Sequence, residues 1–342
     1  MTQWRDRYFS FAILARPRMG GSVLEKGAII VNQCDEIVRA IPEIKRYFYL
    51  VERKGWHGIN GNETADVKLV DDLSTLEETK RRFPNSIALE FSNADFVDTD
   101  VFRPLGTKKR YTGVQIAAWE PFKRHDLFVK AAALLPERRF LKFGHFWDGG
   151  DEGERALRRE AATLSKKLGA RIKFPYSFLP TNRFLPRNPE RINRIINSAR
   201  MGILTSDREG VSRFKMECLS ADIPFLVPED TAFPTKKHIT KETGVFFLPT
   251  PKGLAEAIRH VEENYGSFSP RRYVLSCTGK ENALRALREA LRAFAVRDGY
   301  SRDFCEIRWD GRNQSLVWNK KKAENEVRRA IEEIRMCYNN KK

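Results

Sequence analysis

Nothing in this sequence of 342 residues pairs or clusters its cysteines: Cys34, Cys218, Cys277, Cys305 and Cys337 are odd in number, scattered and never spaced C-x-x-C. That spacing excludes a disulfide framework and a zinc site, and a reducing cytoplasm is the expected compartment. Long apolar runs are missing too. The strongest near the start, Tyr8 to Ala15, falls far short of the ~20 residues that a bilayer requires. It leads into Arg16-Pro17-Arg18 with no small-residue cleavage site, so no secretory signal is expected. Low-complexity tracts are absent, and 41% hydrophobic residues with only 21 Gly and 16 Pro exclude wholesale disorder. The histidines, His57, His125, His145, His238 and His260, are dispersed, and none pairs locally with Ser or Cys in a nucleophile arrangement.

What the sequence has in excess is positive charge, 62 Lys and Arg against 45 Asp and Glu, a net of +17. Residues 1–110 hold 18 of the former and 16 of the latter, so the basic character belongs to the remainder. A polyanionic partner or an anionic membrane face fits such a surface. The length exceeds what one hydrophobic core usually supports, so two domains are expected.

Along the chain, Tyr8 to Ala15 reads as a buried strand and Arg16 to Gly21 as a loop. Ser22-x-x-Glu25 has the form of a capping box, which predicts a helix from there to about Ala40. Strands are expected at Tyr47–Glu52, Val67–Val70 and Ser86–Phe91, with a short helix capped at Ser74 and ending near Phe83. Residues 92–110 lose periodicity and end in a basic run, marking an interdomain linker. Alternation then resumes, with strands at Tyr111–Ala118, Arg139–Phe143, Arg171–Phe174, Met201–Thr205 and Phe225–Val227. Helices are expected at Arg124–Leu135, Glu152–Leu168, Asn188–Arg200 and Val211–Ala221. The fold class is α/β, two doubly wound units in tandem. In the tail, Ala323, Val327, Ala330, Ile331, Ile334 and Tyr338 form one stripe of an amphipathic helix that must dock on something apolar.

The most informative stretch is Met201 to Pro228. A strand ends at Thr205, a polar loop presents Glu209-Gly210, and a helix starts beside that glycine. The free amides of Gly210, Val211 and Ser212 then make an anion site suited to a phosphate. Glu217 lies about two turns farther on, so Glu209 and Glu217 flank one crevice at different depths. Carboxylates there suit hydroxyl groups, which means a sugar or a ribose.

Here the sequence resembles the group 1 glycosyltransferases, the large retaining family four of the GT-B fold. The likeness is carried by Glu209 and Glu217, separated by seven residues, with Gly210, Pro224 and Phe225-Leu226-Val227. Asp222 stands where the family usually has glycine, and Lys215 in a commonly apolar part of the helix. Gly20-Gly21 is similar to the family's N-terminal glycine loop, Asp95 to Pro104 to its linker, and Lys123 to its diphosphate-binding lysine. The companion arginine is Ala118 in this chain, leaving Arg208, Arg213 and Arg124 as substitutes.

The resemblance implies two facing Rossmann-like domains: residues 1–105 for the acceptor, 106–317 for the nucleotide sugar, and a C-terminal helix at 318–342 returning to the first. It implies transfer of a sugar from a nucleotide diphosphate sugar to an acceptor hydroxyl, with Glu217 on the ribose, Glu209 on the donor sugar, and Lys123 with the 210–212 amides on the diphosphate. His145, at a strand end, is a possible nucleotide contact, and Trp56-His57-Gly58 could face an acceptor.

No cofactor is expected beyond the co-substrate. Asp98-Thr99-Asp100 sits in the linker pattern with no His or Cys beside it, so no metal is assigned. The expected acceptor is a cell-surface saccharide or lipid-linked glycan, met in the cytoplasm or peripherally at the inner membrane face. A nucleic-acid base is the alternative acceptor, with Arg183, Arg187, Arg191, Arg194 and Arg200 as a phosphate-tracking face. A GT-B fold that has decayed to a binding module, with Ala118 as the first sign, is the alternative of another class.

Overall fold

The computed structural model describes residues 9–53, 63–145, 152–175, 188–231, 234–309, 311 and 319–339. The chain divides into two compact units: Met1–Phe96 with Lys280–Lys342, and the intervening Val97–Gly279.

The first unit opens with β1 (Phe11–Ala15), β2 (Arg18–Gly20), β3 (Val23–Glu25) and β4 (Gly27–Val31). Then come α1 (Cys34–Ala40), α2 (Ile44–Tyr47), β5 (Phe48–Arg53), β6 (Val67–Leu69), α3 (Leu73–Arg82) and β7 (Ile87–Leu89). One sheet has the order β1-β4-β5-β6-β7, parallel from β4 to β7, with β1 antiparallel to β4. The helix expected from Ser22 to Ala40 is replaced by a hairpin, a strand and the short α1. Its physical cause is the run Gly27-Ala-Ile-Ile-Val31, continuous, β-branched and fully buried, which suits a central parallel strand. Gly20 pairs with Val23, so Gly21-Ser22 is a two-residue turn, and Gly21 takes the positive φ of 67° that such a turn demands. Glu25 accepts from Arg18 Nε across the hairpin at 2.6 Å instead of capping a helix. In α3 the cap is Asp72, whose Oδ1 accepts from the Thr75 amide at 2.8 Å, two residues ahead of the expected Ser74.

The second unit contains β8 (Tyr111–Ala118), α4 (His125–Ala133), β9 (Phe140–His145), α5 (Glu152–Lys167), β10 (Ile172–Lys173) and α6 (Pro189–Asn197). It continues with β11 (Ala199–Ile203), α7 (Arg213–Ser220), β12 (Phe225–Pro228), β13 (Gly244–Phe247), α8 (Pro251–Glu263) and α9 (Pro270–Cys277). Its six strands are all parallel, in the order β10-β9-β8-β11-β12-β13. Counted from β8, that is 3-2-1-4-5-6, the doubly wound order, and the direction of winding reverses between β8 and β11. Leu127, Phe128, Leu254 and Ile258 from α4 and α8 cover Phe140, Met201, Ile203 and Leu226 on one face.

The chain then returns to the first unit through α10 (Gly279–Arg297) and α11 (Lys320–Asn339). The sequence placed this return at 318; the structure places it near 280, because Ala283, Leu284, Leu287, Leu291 and Phe294 bury against Ala28, Ile30, Tyr49 and Val51. On the other face, Ile29, Val31, Phe48 and Leu50 meet α1 and the α11 stripe of Ala323, Val327, Ala330, Ile331 and Ile334. Successive strand residues thus point to opposite layers, as pleating requires. Tyr338, expected in the stripe, is exposed beyond its end. Two Rossmann-like units, with the C-terminal helix packed on the N-terminal one, make the fold GT-B.

Ile331 retains only 2% of its surface in contact with solvent. Ile331→Ala is therefore expected to cost about 3 kcal/mol of first-unit stability, read as a lower urea midpoint by circular dichroism.

Candidate active site

The sequence residues that come together are Lys123 and Glu209, at the reversal point of the second sheet. After β8 the chain forms a 3-10 turn, Pro121–Lys123, and leaves it through Arg124 at φ 45°, a left-handed step that starts α4. After β11 it forms the loop that carries Glu209. Lys123 Nζ donates to Glu209 Oε2, and both residues are buried. Two cations flank the Phe122 ring, Lys123 Nζ at 4.8 Å and the Arg208 guanidinium at 5.2 Å from its centroid. The Asp207 amide donates to the Phe122 carbonyl at 3.0 Å, joining the two loops. Arg208 is largely exposed, with Asp207 3.9 Å away.

Arg124 is committed elsewhere and leaves the list of substitutes for a phosphate contact. It donates to the carbonyls of Thr205 at 2.5 Å and Ser206 at 3.1 Å, and forks onto Asp230 at 2.7 and 2.9 Å. Its hydrogen bond holds the Asp230 carboxyl below the usual carboxylate range.

Helix α7 begins later than expected. Ser212 is its N-cap, accepting from the Lys215 amide at 3.4 Å, so Gly210 and Val211 remain in the loop. The first turn of the helix is therefore that of Arg213 and Phe214, and Gly210, Val211 and the cap Ser212 precede it. Glu217 is half-buried on the same helix. The unusual Lys215 is fully buried and donates to the Thr235 carbonyl, tethering α7 to the turn Pro234–His238. Asp222 takes φ 62°, the region that favours glycine, and accepts from the Arg271 amide at 3.0 Å.

Other expected residues stand apart. β1 runs antiparallel, with Ala15 opposite Ala28 at the start of β4. The Gly20-Gly21 hairpin, similar in sequence to the family's glycine loop, therefore lies at the amino edge of the parallel strands and not beyond their carboxyl ends. His145 pairs with Ala118 at the end of β9, and its side chain lies outside the described residues. So do Trp56, His57, Gly58, Arg183 and Arg187. Asp98 Oδ1 accepts from the amides of Asp100 and Val101 at 3.1 and 3.2 Å, a local turn. Among the described residues, metal-type side chains converge at Asp303, Cys305 and Glu306, exposed in the first unit, where Glu306 pairs with Arg302.

Sequence reasoning missed the polar line beneath the pair. Gln115 and Lys142 are in register on β8 and β9, both buried. Lys142 Nζ donates to Gln115 Oε1 and lies 4.7 Å from the Trp119 ring. Gln115 Nε2 donates to Thr205 Oγ1 at 2.8 Å, and Thr205 Oγ1 donates to the Lys123 carbonyl at 2.6 Å. Burial, with a smaller push from the Lys123 charge, lowers the Lys142 amine well below its ordinary value. His125 packs against Trp119 with ring centroids 4.6 Å apart and planes tilted by 51°, both ring nitrogens buried and the Ala118 backbone beside them. Burial first, then Lys142 and Lys123, lower its pKa to about 2, so the ring is neutral. The signal was present in the sequence as single polar residues interrupting the apolar strands Tyr111–Ala118 and Phe140–His145.

This arrangement belongs to the second unit of a GT-B fold. No protein-family model and no curated protein matches the chain. Solved structures do. HepE of Anabaena, in complex with UDP, is 14% identical over 76% of this chain and 77% of its own, with a TM-score of 0.59. A glycosyltransferase of Rickettsia africae is 11% identical over 78% and 82%, at 0.57. Sucrose-phosphate synthase of Thermosynechococcus elongatus is 17% identical over 68%, at 0.53, and the match spans 60% of that enzyme.

The neutral His125 generates a test. Its folded pKa of about 2 lies below the ordinary 6.5, so the unfolded chain takes up a proton that the fold refuses, and stability falls as pH drops from about 6.5 toward 2. His125→Phe keeps the packing against Trp119 and removes that loss, up to about 1.4 kcal/mol per pH unit. Urea midpoints at pH 7 and pH 5 are expected to differ less in the variant than in the wild type.

Proposed function

We propose that this protein is a retaining glycosyltransferase that moves a sugar from a nucleotide diphosphate sugar to an acceptor hydroxyl. The observation that carries the reading is the buried Lys123–Glu209 pair, because ligands of open α/β sheets bind beyond the carboxyl ends of the strands where the winding reverses. HepE, whose fold this chain shares, is known in complexes with UDP and with UDP-glucose.

The buried ion pair keeps both charges in place for a donor. Separating them with nothing between would strand each in a low dielectric. A donor resolves this by supplying both partners: its diphosphate takes the Lys123 ammonium and a sugar hydroxyl takes the Glu209 carboxylate. Charge grows on the diphosphate as the glycosidic bond breaks, and a fixed cation favours that state over the ground state. Arg208, its guanidinium 5.2 Å from the Phe122 ring, serves as the second cation in place of the arginine absent at Ala118. The amides of Arg213 and Phe214 add the helix N-terminus, and Glu217 holds the ribose. No enzymic nucleophile is required, because a donor phosphate oxygen takes the acceptor proton on the face from which the diphosphate leaves. Transfer proceeds without a metal, since these cations supply the charge. The acceptor is a surface saccharide or glycolipid, reached from the cytoplasm with peripheral contact to an anionic membrane face. A nucleic-acid acceptor gains no support from the described residues, and a decayed binding module is at odds with the intact pair.

Two carboxylates with different duties predict different kinetics. Glu217→Ala is expected to weaken nucleotide affinity about tenfold by calorimetry, whereas Glu209→Ala lowers kcat about 100-fold with little change in donor KM, because it acts where charge develops. Unchanged nucleotide affinity in Glu217→Ala would refute the assignment. Transfer is also expected to persist in excess EDTA, and loss of activity restored by manganese would bring Asp98 and Asp100 back as ligands.

A further inference from the structure

A lysine in the middle of a parallel strand is costly to bury, and packing alone gives no reason for one at Lys142, where an apolar side chain would fill the space between Trp119 and Phe128. Its amine instead starts an unbroken chain of hydrogen bonds, through the Gln115 amide and the Thr205 hydroxyl to the carbonyl of Lys123. We propose that Lys142 is a positioning residue of the transfer reaction, acting through Gln115 and Thr205 to fix the Lys123 backbone and with it the ammonium that meets Glu209. The inference rests on the glycosyltransferase reading and deepens it.

Each link has one orientation. The Lys142 nitrogen donates, and the Gln115 oxygen faces it. The Gln115 amide nitrogen then faces Thr205, and the threonine proton is left for the Lys123 carbonyl. A lone carbonyl in the turn Pro121–Lys123 is thereby tied to rigid strands on both sides of the reversal point. The groups around the amine are the rings of Trp119 and Phe128, the neutral His125, and the charge of Lys123. Burial lowers its proton affinity, so it offers hydrogen bonds with a reduced tendency to hold a second cation beside Lys123. Each member is set by packing, as a supporting shell must be if the reacting group is to hold its geometry.

The test uses the full chain and steady-state transfer from the nucleotide sugar that the wild type accepts. Lys142→Met and Thr205→Val are each expected to lower kcat tenfold to 100-fold, the range that a misplacement near 1 Å costs, with donor KM changed less than twofold. The double variant should be no slower than the slower single, because both cut one chain. Thr205→Ser, which keeps the hydroxyl, should recover most of the loss. If Lys142→Met fails to fold, Gln115→Leu breaks the same chain one link along. Multiplicative losses in the double variant, or singles with wild-type kcat, overturn the proposal. If the wild type transfers sugar from no nucleotide diphosphate donor, the functional reading fails on its own. Crystal structures of the variants then decide the relay: Lys123 Nζ drawn away from Glu209 supports it, and an unmoved pair refutes it.

Discussion

A charge carried into a protein interior needs a counter-charge or hydrogen-bond acceptors there, and the second unit is organised around one such meeting, Lys123 with Glu209. Neither residue lies on a regular element. Each sits in a loop, so the pair exists only while two loops from opposite sides of the reversal point keep a fixed separation. The clamp is the Arg124 fork, which grips the Thr205 and Ser206 carbonyls with one side and Asp230 with the other. The left-handed turn at Arg124 aims that fork, at an energetic cost that tertiary contacts must offset. Beneath it, the bond from Asp207 to Phe122 and the line from Lys142 to Lys123 close the same gap at other depths. A strand order that reverses at this point supplies the space, and the loops supply the chemistry.

How much of this was legible depended on whether the deciding contact was local. In the second unit five of the six strands were legible as mainly apolar runs bounded by turn residues, β13 being the exception, and Asn188-Pro189 announces its helix by cap and first-turn proline alone. In the first unit, Ser22-x-x-Glu25 satisfied the local rule for a helix start, yet Glu25 was claimed by Arg18 across a hairpin and Ala28–Val31 by two facing layers. Tertiary burial overrode a cap worth about 1 kcal/mol. Ser74 lost its cap to Asp72 for a smaller reason: the two compete for the same amides, and a carboxylate accepts more strongly.

The site divides the same way. Glu209, Glu217 and Lys123 were found because a sequence pattern places them. Gln115, Thr205 and Lys142 belong to three different strand regions, and only the register of β8 against β9 and β11 makes them neighbours. A polar residue inside an apolar strand marks such a place without naming its partner. Arg124 was read as free to meet a phosphate because its partners, Thr205, Ser206 and Asp230, are more than eighty residues away.

The early return of the chain follows from what surrounds its crossing. Outbound, residues 99–102 are fastened to the second unit by Arg271, which donates to the carbonyls of Thr99, Phe102 and Ser220 at 3.1, 3.1 and 2.7 Å. Inbound, the chain turns at Gly279, with φ 80°, where a Cβ would lie 3.2 Å from the Thr99 methyl. Both crossings therefore leave the second unit side by side, with Arg271 and Gly279 of the inbound segment both against Thr99 of the outbound one. Asp222 belongs to the same construction, since its carboxylate fixes the first turn of the helix that carries Arg271. A side chain at the Gly279 position would press on the outgoing segment, and an apolar residue at 222 would free α9 from it. The two departures in this region, an aspartate where glycine is usual and a unit boundary forty residues early, thus have a common physical origin in holding the paired connections together.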